Sequence, residues 1–296
     1  MSNYREMLGV LDLAAKTRGG KGVLVAILDS GVPRLERFKD NSDCSRDDFG
    51  HSTAVSSILF GGNGISGVCE GADAYFVRVL NSKGYGSAET VSKGILKAIS
   101  KGADLINLSL GFARTEDCPK PLEEACQAAE RAGIAIICAA GNDGGRVNWP
   151  GALKNTICVG SAAENGLKTA FSASGEVDFV AKGENLPVIG LDSQRTYLSG
   201  TSFSTALVSG VATLLIARLK GSAVGTSVEA VKAALRGVAK DVDADGWDEN
   251  TGFGLVGASS CGDQTVNLKT SRSIFGIIVD KIKGFFSTKT RRRDVH

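Results

Sequence analysis

The chain has 296 residues, of which 43% are hydrophobic and only 5 are proline, a composition typical of a compact globular protein. Its 34 Lys and Arg residues are nearly balanced by 32 Asp and Glu residues, so a formal charge of +2 argues against nucleic acid as a partner. No apolar run has membrane-spanning length and no signal peptide is recognisable, so we expect a cytoplasmic protein.

The first strong pattern is a short apolar run over residues 22–28, which predicts a strand covered on both faces of a parallel sheet. The run ends at Asp29. In open α/β sheets, ligands bind beyond the carboxyl ends of the strands. Asp29 is therefore a candidate functional carboxylate, with an ordinary Asx turn as the alternative.

Residues 47–55 open a predicted helix that carries His51. The sequence has 2 histidines, and the other is the terminal His296. His51 is therefore the natural candidate for a general base with a pKa near neutrality, and no two-histidine metal site is expected. The alternative is a histidine that only packs at a helix start.

Strand and helix patterns then alternate along the chain. Strands are predicted at 75–80, 105–108, 134–139 and 156–160, and helices at 87–101 and 122–131. This alternation predicts an α/β fold with a mostly parallel central sheet flanked by helices on both faces. A capping box from Thr226 to Glu229 predicts one more helix, which runs through Leu235.

Ser202 lies just before a long apolar segment, residues 206–219, that predicts a buried helix. Gly200 permits a sharp turn, which places Ser202 at or near the helix N-terminus, where unpaired N–H groups favour negative charge. Such a place suits a nucleophile, although a plain N-cap has the same pattern.

Asn142 follows the predicted strand 134–139. Its amide is a candidate donor to a developing oxyanion, with a simple turn as the alternative.

Asp29, His51 and Ser202 in this order, with Asn142 between the last two, make the chain resemble the subtilisin-like serine proteases. The matching segments are the aspartate motif at 25–32, the histidine motif at 50–55, the substrate-pairing segment at 107–111, the oxyanion segment at 139–144, the serine motif at 200–204 and the closing motif at 251–256. The resemblance covers about residues 10–260.

The resemblance implies a subtilisin-like peptidase domain over residues 1–262 and a serine endopeptidase that works through an acyl-enzyme. Ser202 would be the nucleophile, His51 the general base, Asp29 the residue that orients His51, and Asn142 the oxyanion donor. The implied substrate-binding residues are Ser109, Leu110 and Gly111, together with Asp143 and Asn148 at the primary specificity pocket.

Some features of the family are not expected here. Asp29 lies so near the start that we expect folding without the long N-terminal folding segment of secreted members. The loop at 60–65 is shorter than the calcium-carrying loop of many members, and no cofactor is expected to be required. Asp241, Asp243 and Asp245 match the opening of a calcium-binding loop, but Gly252 stands where a bidentate Glu is needed. A solvated turn is favoured over calcium.

Cysteine usage bears on the compartment and the substrate. The 7 cysteines are an odd number without metal-type spacing, which is typical of reduced thiols in the cytoplasm. Together with the expected lack of export, this favours a protease that processes a specific intracellular protein. The alternative is a catalytically idle subtilisin-fold binding or scaffold protein.

Residues 263–296 lie beyond the closing motif and are predicted to form a separate C-terminal tail. If the tail forms a helix, its large apolar residues lie on one side: Ile274, Phe275, Ile278, Ile282, Phe285 and Phe286. A basic cluster follows, made of Lys289, Arg291, Arg292 and Arg293. The helix either packs back on the domain or binds a partner protein or an anionic membrane surface.

Overall fold

The computed structural model describes residues 2–222 and 225–257. The strands are β1 (Ser2–Asn3), β2 (Leu24–Asp29), β3 (Ile65–Ser66), β4 (Asp73–Arg78), β5 (Leu105–Leu108), β6 (Ala135–Ala139), β7 (Ile157–Ala162), β8 (Phe179–Lys182), β9 (Leu186–Ile189), β10 (Arg195–Leu198), β11 (Ala239–Lys240) and β12 (Leu255–Val256). The α-helices are α1 (Tyr4–Met7), α2 (Leu11–Lys16), α3 (His51–Phe60), α4 (Ala88–Ser100), α5 (Lys120–Arg131), α6 (Thr201–Leu219) and α7 (Val228–Arg236).

An eight-stranded sheet organises the fold, in the order β11-β12-β8-β7-β6-β5-β2-β4. Its pairs are parallel except for β11 with β12. The chain goes outward from β2 to β4 and then crosses back to place β5 on the other side of β2. The strand order therefore reverses between β2 and β5, and the carboxyl ends of strands at such a reversal are where α/β folds bind ligands.

The two faces of the sheet carry different helices, as the residues of β2 show, because successive residues belong to different cores. Val25 and Ile27 join a core shared with α3, α6 and α7, whereas Ala26 and Leu28 join a second core shared with α4 and α5. The predicted α/β class, with a mostly parallel sheet and helices on both faces, is confirmed.

Helix α6 fills the centre of the first core because it is apolar around its whole circumference. It packs against α3 and against four strands, β5, β6, β7 and β8. A Cβ on Gly210 would lie 2.5 Å from Cβ of Val68, so the absent side chain allows close approach at that point. Contrary to the expectation that no apolar run reaches membrane-spanning length, the helix is long and apolar enough to cross a membrane, but 83% of its apolar stretch is buried inside the protein, which identifies it as a core helix.

The structure corrects several predicted boundaries. Helix α6 begins at Thr201, five residues before the predicted apolar segment, so Ser202 is inside its first turn. The cap of α7 is Ser227, whose hydroxyl accepts the N–H of Ala230 at 3.3 Å, so the predicted cap at Thr226 is wrong by one residue. The sequence pattern also missed strands β8, β9 and β10. The domain boundary at 262 and the tail 263–296 lie outside the described residues.

Candidate active site

Asp29 and His51 form a close pair at the carboxyl end of β2. The Asp29 side chain is 1% exposed, and Nδ1 of His51 lies 2.9 Å from each of its carboxylate oxygens. Because a carboxylate only accepts hydrogen bonds, Nδ1 carries the proton and donates it. Nε2 of the neutral ring is then the free lone pair, which is the form that a general base needs.

Opposing effects act on the pKa of His51. Burial lowers it, but attraction to the Asp29 carboxylate, the hydrogen bond from Nδ1 to Asp29 and the nearby Asp47 charge raise it more. The pKa therefore lies above its ordinary value of 6.5. Stabilisation of the protonated ring is what a base needs when it takes a proton from a hydroxyl.

Asp47 is a second buried carboxylate that the sequence analysis did not single out. Its oxygens accept from the Ser30 hydroxyl at 2.8 Å and from the Thr53 hydroxyl at 2.6 Å. They also accept from the backbone N–H groups of Phe49, Gly50 and Thr53. Burial raises the pKa of Asp47, but these hydrogen bonds lower it more, so the net shift is downward.

Ser30 joins the two carboxylates. Its hydroxyl lies 3.1 Å from Oδ1 of Asp29 and 2.8 Å from Oδ1 of Asp47, and its backbone N–H donates to Asp29 at 2.7 Å. Its oxygen also accepts the N–H of Ser52 at 3.0 Å. Asp47 thus anchors the start of α3 and, through Ser30, the loop that carries Asp29. The sequence did contain a signal for this role, because Asp47 stands three positions before Gly50. Gly50 has a φ of 100° and makes a left-handed turn into α3.

Ser202 is held at the start of α6 by a reciprocal pair of hydrogen bonds to Ser109. The Ser202 hydroxyl donates to the Ser109 carbonyl at 2.9 Å, and the Ser109 hydroxyl donates to the Ser202 carbonyl at 2.9 Å. The His51 ring lies beside the next residue of α6, with its centroid 6.0 Å from that of Phe203. Because a hydroxyl has one proton, Ser202 must rotate away from Ser109 to donate to His51.

Asn107 supports this contact from inside the protein. Its buried side chain donates from Nδ2 to the Ser109 hydroxyl at 3.0 Å, and its Oδ1 accepts the Ser209 hydroxyl at 2.9 Å. The motif at 107–111 was expected to bind substrate through its backbone, and Asn107 adds a role for a side chain. A buried and satisfied polar network of this kind fixes the end of β5 against α6.

Asn142 presents its amide beside the start of α6. Its Oδ1 accepts both the backbone N–H of Thr201 at 2.8 Å and the Thr201 hydroxyl at 3.0 Å. A backbone N–H is always a donor, so the acceptor must be the side-chain oxygen and the orientation of the amide is determined. Nδ2 then lies near Gly200, where an added Cβ would be 3.5 Å away. Within residues 2–222 and 225–257 these amide N–H groups have no acceptor, so they can serve an anion.

The predicted substrate-binding residues fall into two groups. Ser109, Leu110 and Gly111 line a cleft of about 360 Å³ together with His51. Asn148 lies between the loops that follow β5 and β6. Its side chain is within 3.0 Å of the points where a Cβ added to Gly111 or to Gly141 would lie. Asp143, by contrast, uses its carboxylate within its own turn, where Oδ1 accepts the N–H of Gly145 at 3.0 Å. The substrate-binding role of all five residues stays a prediction.

The acidic loop 241–250 uses its carboxylates as turn acceptors. Oδ2 of Asp241 accepts the N–H of Gly246 at 2.7 Å, and Oδ2 of Asp243 accepts from Asn250 at 3.3 Å. Within residues 2–222 and 225–257, no group of three or more His, Cys, Asp or Glu side chains is placed to hold a metal ion. The calcium hypothesis for Asp241, Asp243 and Asp245 and the expectation that no cofactor is required both stay predictions.

The family model described as the Subtilase family matches residues 20–254. The chain therefore belongs to the subtilase family of serine peptidases. It is 34% identical over 220 residues to the M-protease of Shouchella clausii, covering 68% of this chain and 56% of that protein. It is 36% identical over 219 residues to the thermostable alkaline protease of Halalkalibacterium halodurans, covering 69% of this chain and 60% of that protein. The match thus spans less than two thirds of either relative.

Two further comparisons cover more of the other protein. The intracellular serine protease of Paenibacillus polymyxa is 33% identical over 235 residues, which is 71% of each chain. The solved structure of the prenylagaramide maturation protease PagA superposes with a TM-score of 0.73 at 28% identity, covering 83% of this chain and 94% of that one. The subtilisin-like fold inferred from the motifs is confirmed.

Proposed function

We propose that the protein is a serine endopeptidase that processes a specific protein or peptide inside the cell. The observation that carries the catalytic part is the pairing of His51 Nδ1 with both oxygens of buried Asp29, beside a serine in the first turn of a buried helix. An idle scaffold has no need to bury a carboxylate against a histidine in this way, because burying a charge costs free energy.

The chemistry follows from the geometry. Ser202 rotates from Ser109 toward Nε2 of His51, gives it the hydroxyl proton and attacks the peptide carbonyl carbon. The carbonyl oxygen becomes an anion that the Asn142 amide and the backbone N–H of Ser202 stabilise. His51 then passes its proton to the leaving amine, and the C–N bond breaks to give an acyl-enzyme. Water repeats the sequence, releasing the acid and restoring Ser202.

The cysteines of the protein support the proposal that it acts in a reducing compartment. The cysteines of the described part of the chain carry free thiols: Cys44, Cys69, Cys118, Cys126, Cys138 and Cys158. Burial raises the pKa of Cys69 and of Cys126 to about 12, so these thiols are inert core residues. The relative from Paenibacillus polymyxa is named as intracellular, which favours the same compartment for this chain.

A dedicated substrate is favoured by the structural relative. That protein is described as a maturation protease, and the match covers 83% of this chain and 94% of the relative. A main-chain binding segment at the end of β5 would hold such a peptide as an added strand, while side-chain subsites supply the choice of cleavage point.

Two experiments test the proposal. A serine-directed fluorophosphonate should label the wild-type protein and leave Ser202→Ala unlabelled, and an unlabelled wild type would indicate an idle scaffold. Terminal-peptide mass spectrometry of cell lysates should then show a few cleavages that depend on Ser202. Broad digestion of many lysate proteins would contradict a dedicated substrate.

A further inference from the structure

Two clefts flank His51, each with a volume of about 360 Å³. The first lies between residues 84–86 and the segment 109–113 that follows β5. The second lies between the start of α3 and the hairpin formed by β9 and β10. Phe49 and His51 line both clefts, so they form the ridge between them.

The second cleft has an apolar lining. Phe49, Ala54, Leu191 and Leu198 contribute its side chains, and His51 is the one ionisable residue among those that line it. Three of these apolar residues are well exposed, at 42% for Phe49 and 39% for each leucine. Large apolar side chains that gather beside a catalytic group and remain open to solvent are typical of a binding site.

The hairpin that carries the two leucines is held in place. The N–H of Ile189 donates to the Ser57 hydroxyl at 3.1 Å, and Nδ2 of Asn63 donates to the carbonyl of Ser193 at 2.7 Å. Leu191 lies directly over Gly50, where an added Cβ would be 3.0 Å from its Cγ. The cleft is therefore formed before substrate arrives, which reduces the entropy lost on binding.

The position of the cleft decides which part of a substrate it contacts. If the segment 109–111 holds the acyl side of the peptide, that side occupies the first cleft. A peptide that passes Ser202 must then continue past His51, which delivers a proton to the leaving amine. The residue that carries this amine therefore lies in the second cleft.

We propose that the second cleft selects substrates with a large apolar residue immediately after the cleaved bond. Leu191 and Leu198 are the specificity-determining residues, and Phe49 separates the two subsites. This inference rests on the proposed function, because it requires an acyl-enzyme on Ser202. It defines the substrate class as peptides whose new N-terminus is Leu, Ile, Phe or a similar residue.

Partitioning of the acyl-enzyme tests this directly. One peptide ester supplies a constant acyl group, and added leucinamide, phenylalaninamide, glycinamide or aspartic acid α-amide competes with water for it. Each amide must bind where the leaving amine departs, since the two steps are the reverse of each other. Leucinamide and phenylalaninamide should give aminolysis ratios about tenfold or more above those of glycinamide and the aspartic amide.

Variants assign the preference to the cleft. Leu191→Ser combined with Leu198→Ser should reduce the preference for leucinamide to about twofold, because most of the apolar contact is lost. Leu167→Ser is a matched control, with a leucine 43% exposed and outside both clefts, and it should keep the wild-type ratio. Leu198→Lys should raise the ratio for the aspartic amide, a gain that misfolding cannot produce.

The outcomes separate this inference from the proposed function. Ester hydrolysis with equal partitioning among the four amides, or a leucine preference unchanged in the double variant, overturns the cleft assignment while the protease stands. An ester that is not hydrolysed by Ser202 overturns both.

Discussion

The two helices that carry the proposed catalytic base and nucleophile begin in different ways. The N-terminus of α3, which carries His51, is held by side chains: the buried Asp47 accepts from Phe49, Gly50 and Thr53, and Ser30 accepts from Ser52. At the N-terminus of α6, which carries Ser202, Asn142 accepts the N–H of Thr201 and the Gly200 carbonyl accepts the N–H of Phe203, while the N–H of Ser202 between them has no acceptor among the residues that the structure describes. The proposed base is therefore fixed by side chains at its own helix end, whereas the proposed nucleophile keeps its own N–H for a developing anion.

The largest effect should come from removing either functional group. Ser202→Ala and His51→Ala should each lower kcat by about a millionfold, a magnitude taken from subtilisin, where these two residues act as a unit. The double variant should be no worse than either single one. Steady-state kinetics on a peptide ester measures the loss, and thermal unfolding is the control for folding. Substantial activity in His51→Ala would refute the assignment of the base.

Asn142→Asp should separate the two proposed roles of Asn142 at the start of α6, which are to accept the N–H of Thr201 and to donate to the oxyanion. The carboxylate can still accept from the N–H of Thr201, so α6 should begin normally, but the donor to the oxyanion is lost and a like charge is added. We expect kcat to fall by at least about 100- to 1000-fold, the cost known for the equivalent subtilisin donor, with little change in KM. A fall in stability that accounts for the lost activity would show that the residue is only structural.

The pH dependence should report on the charges at the N-terminus of α3. Only neutral His51 accepts the serine proton, so kcat/KM should rise about tenfold per pH unit until a midpoint above 6.5, because Asp29 and Asp47 raise the pKa. The sign for stability is opposite. The contribution from protonated His51 is complete below its ordinary pKa and is lost as pH rises through the folded value. A midpoint below 6.5 would contradict the inferred charge balance.

The smallest effect, and the one that breaks the contrast between the helix ends, should come from Asp47→Asn. An amide cannot replace a carboxylate that accepts from Ser30, Thr53 and three backbone N–H groups, so the free energy of unfolding should fall by about 2–3 kcal/mol. The midpoint of the pH profile should also move down. Thr53→Val is the matched control, since it removes one donor and leaves the charge; it should cost about 1 kcal/mol and leave the midpoint in place.

The parts of the molecule that could be predicted are those with a local signature. Apolar runs and the turns after them placed Asp29, His51, Asn142 and Ser202 at the ends of buried elements, and the order of motifs identified the family. Strand β10 was missed because its four residues are all exposed and leave no alternating pattern. Its existence depends on pairing with β9, which the pattern also missed.

Side-chain roles that depend on partners distant in the sequence could not be predicted either. Asp47 owes its link to Asp29 to Ser30, which is 17 positions away, and Ser109 meets Ser202 across 93 positions. No window of sequence contains both members of the second pair. Ser227 shows the limit at short range, since either Thr226 or Ser227 could cap α7 by composition and the backbone geometry decides.

The placement of α6 has a consequence for biosynthesis. Asp29 and His51 leave the ribosome before α6, and until α6 has emerged a nascent chain lacks both the proposed nucleophile and the helix that fills the core beneath β5, β6, β7 and β8. Before that moment the apolar faces of β5, β6, β7 and β8 lack the helix that packs against them, although α3 can already contact β2. Peptidase activity is therefore acquired together with the folded state, and an incomplete polypeptide on the ribosome cannot cut its neighbours.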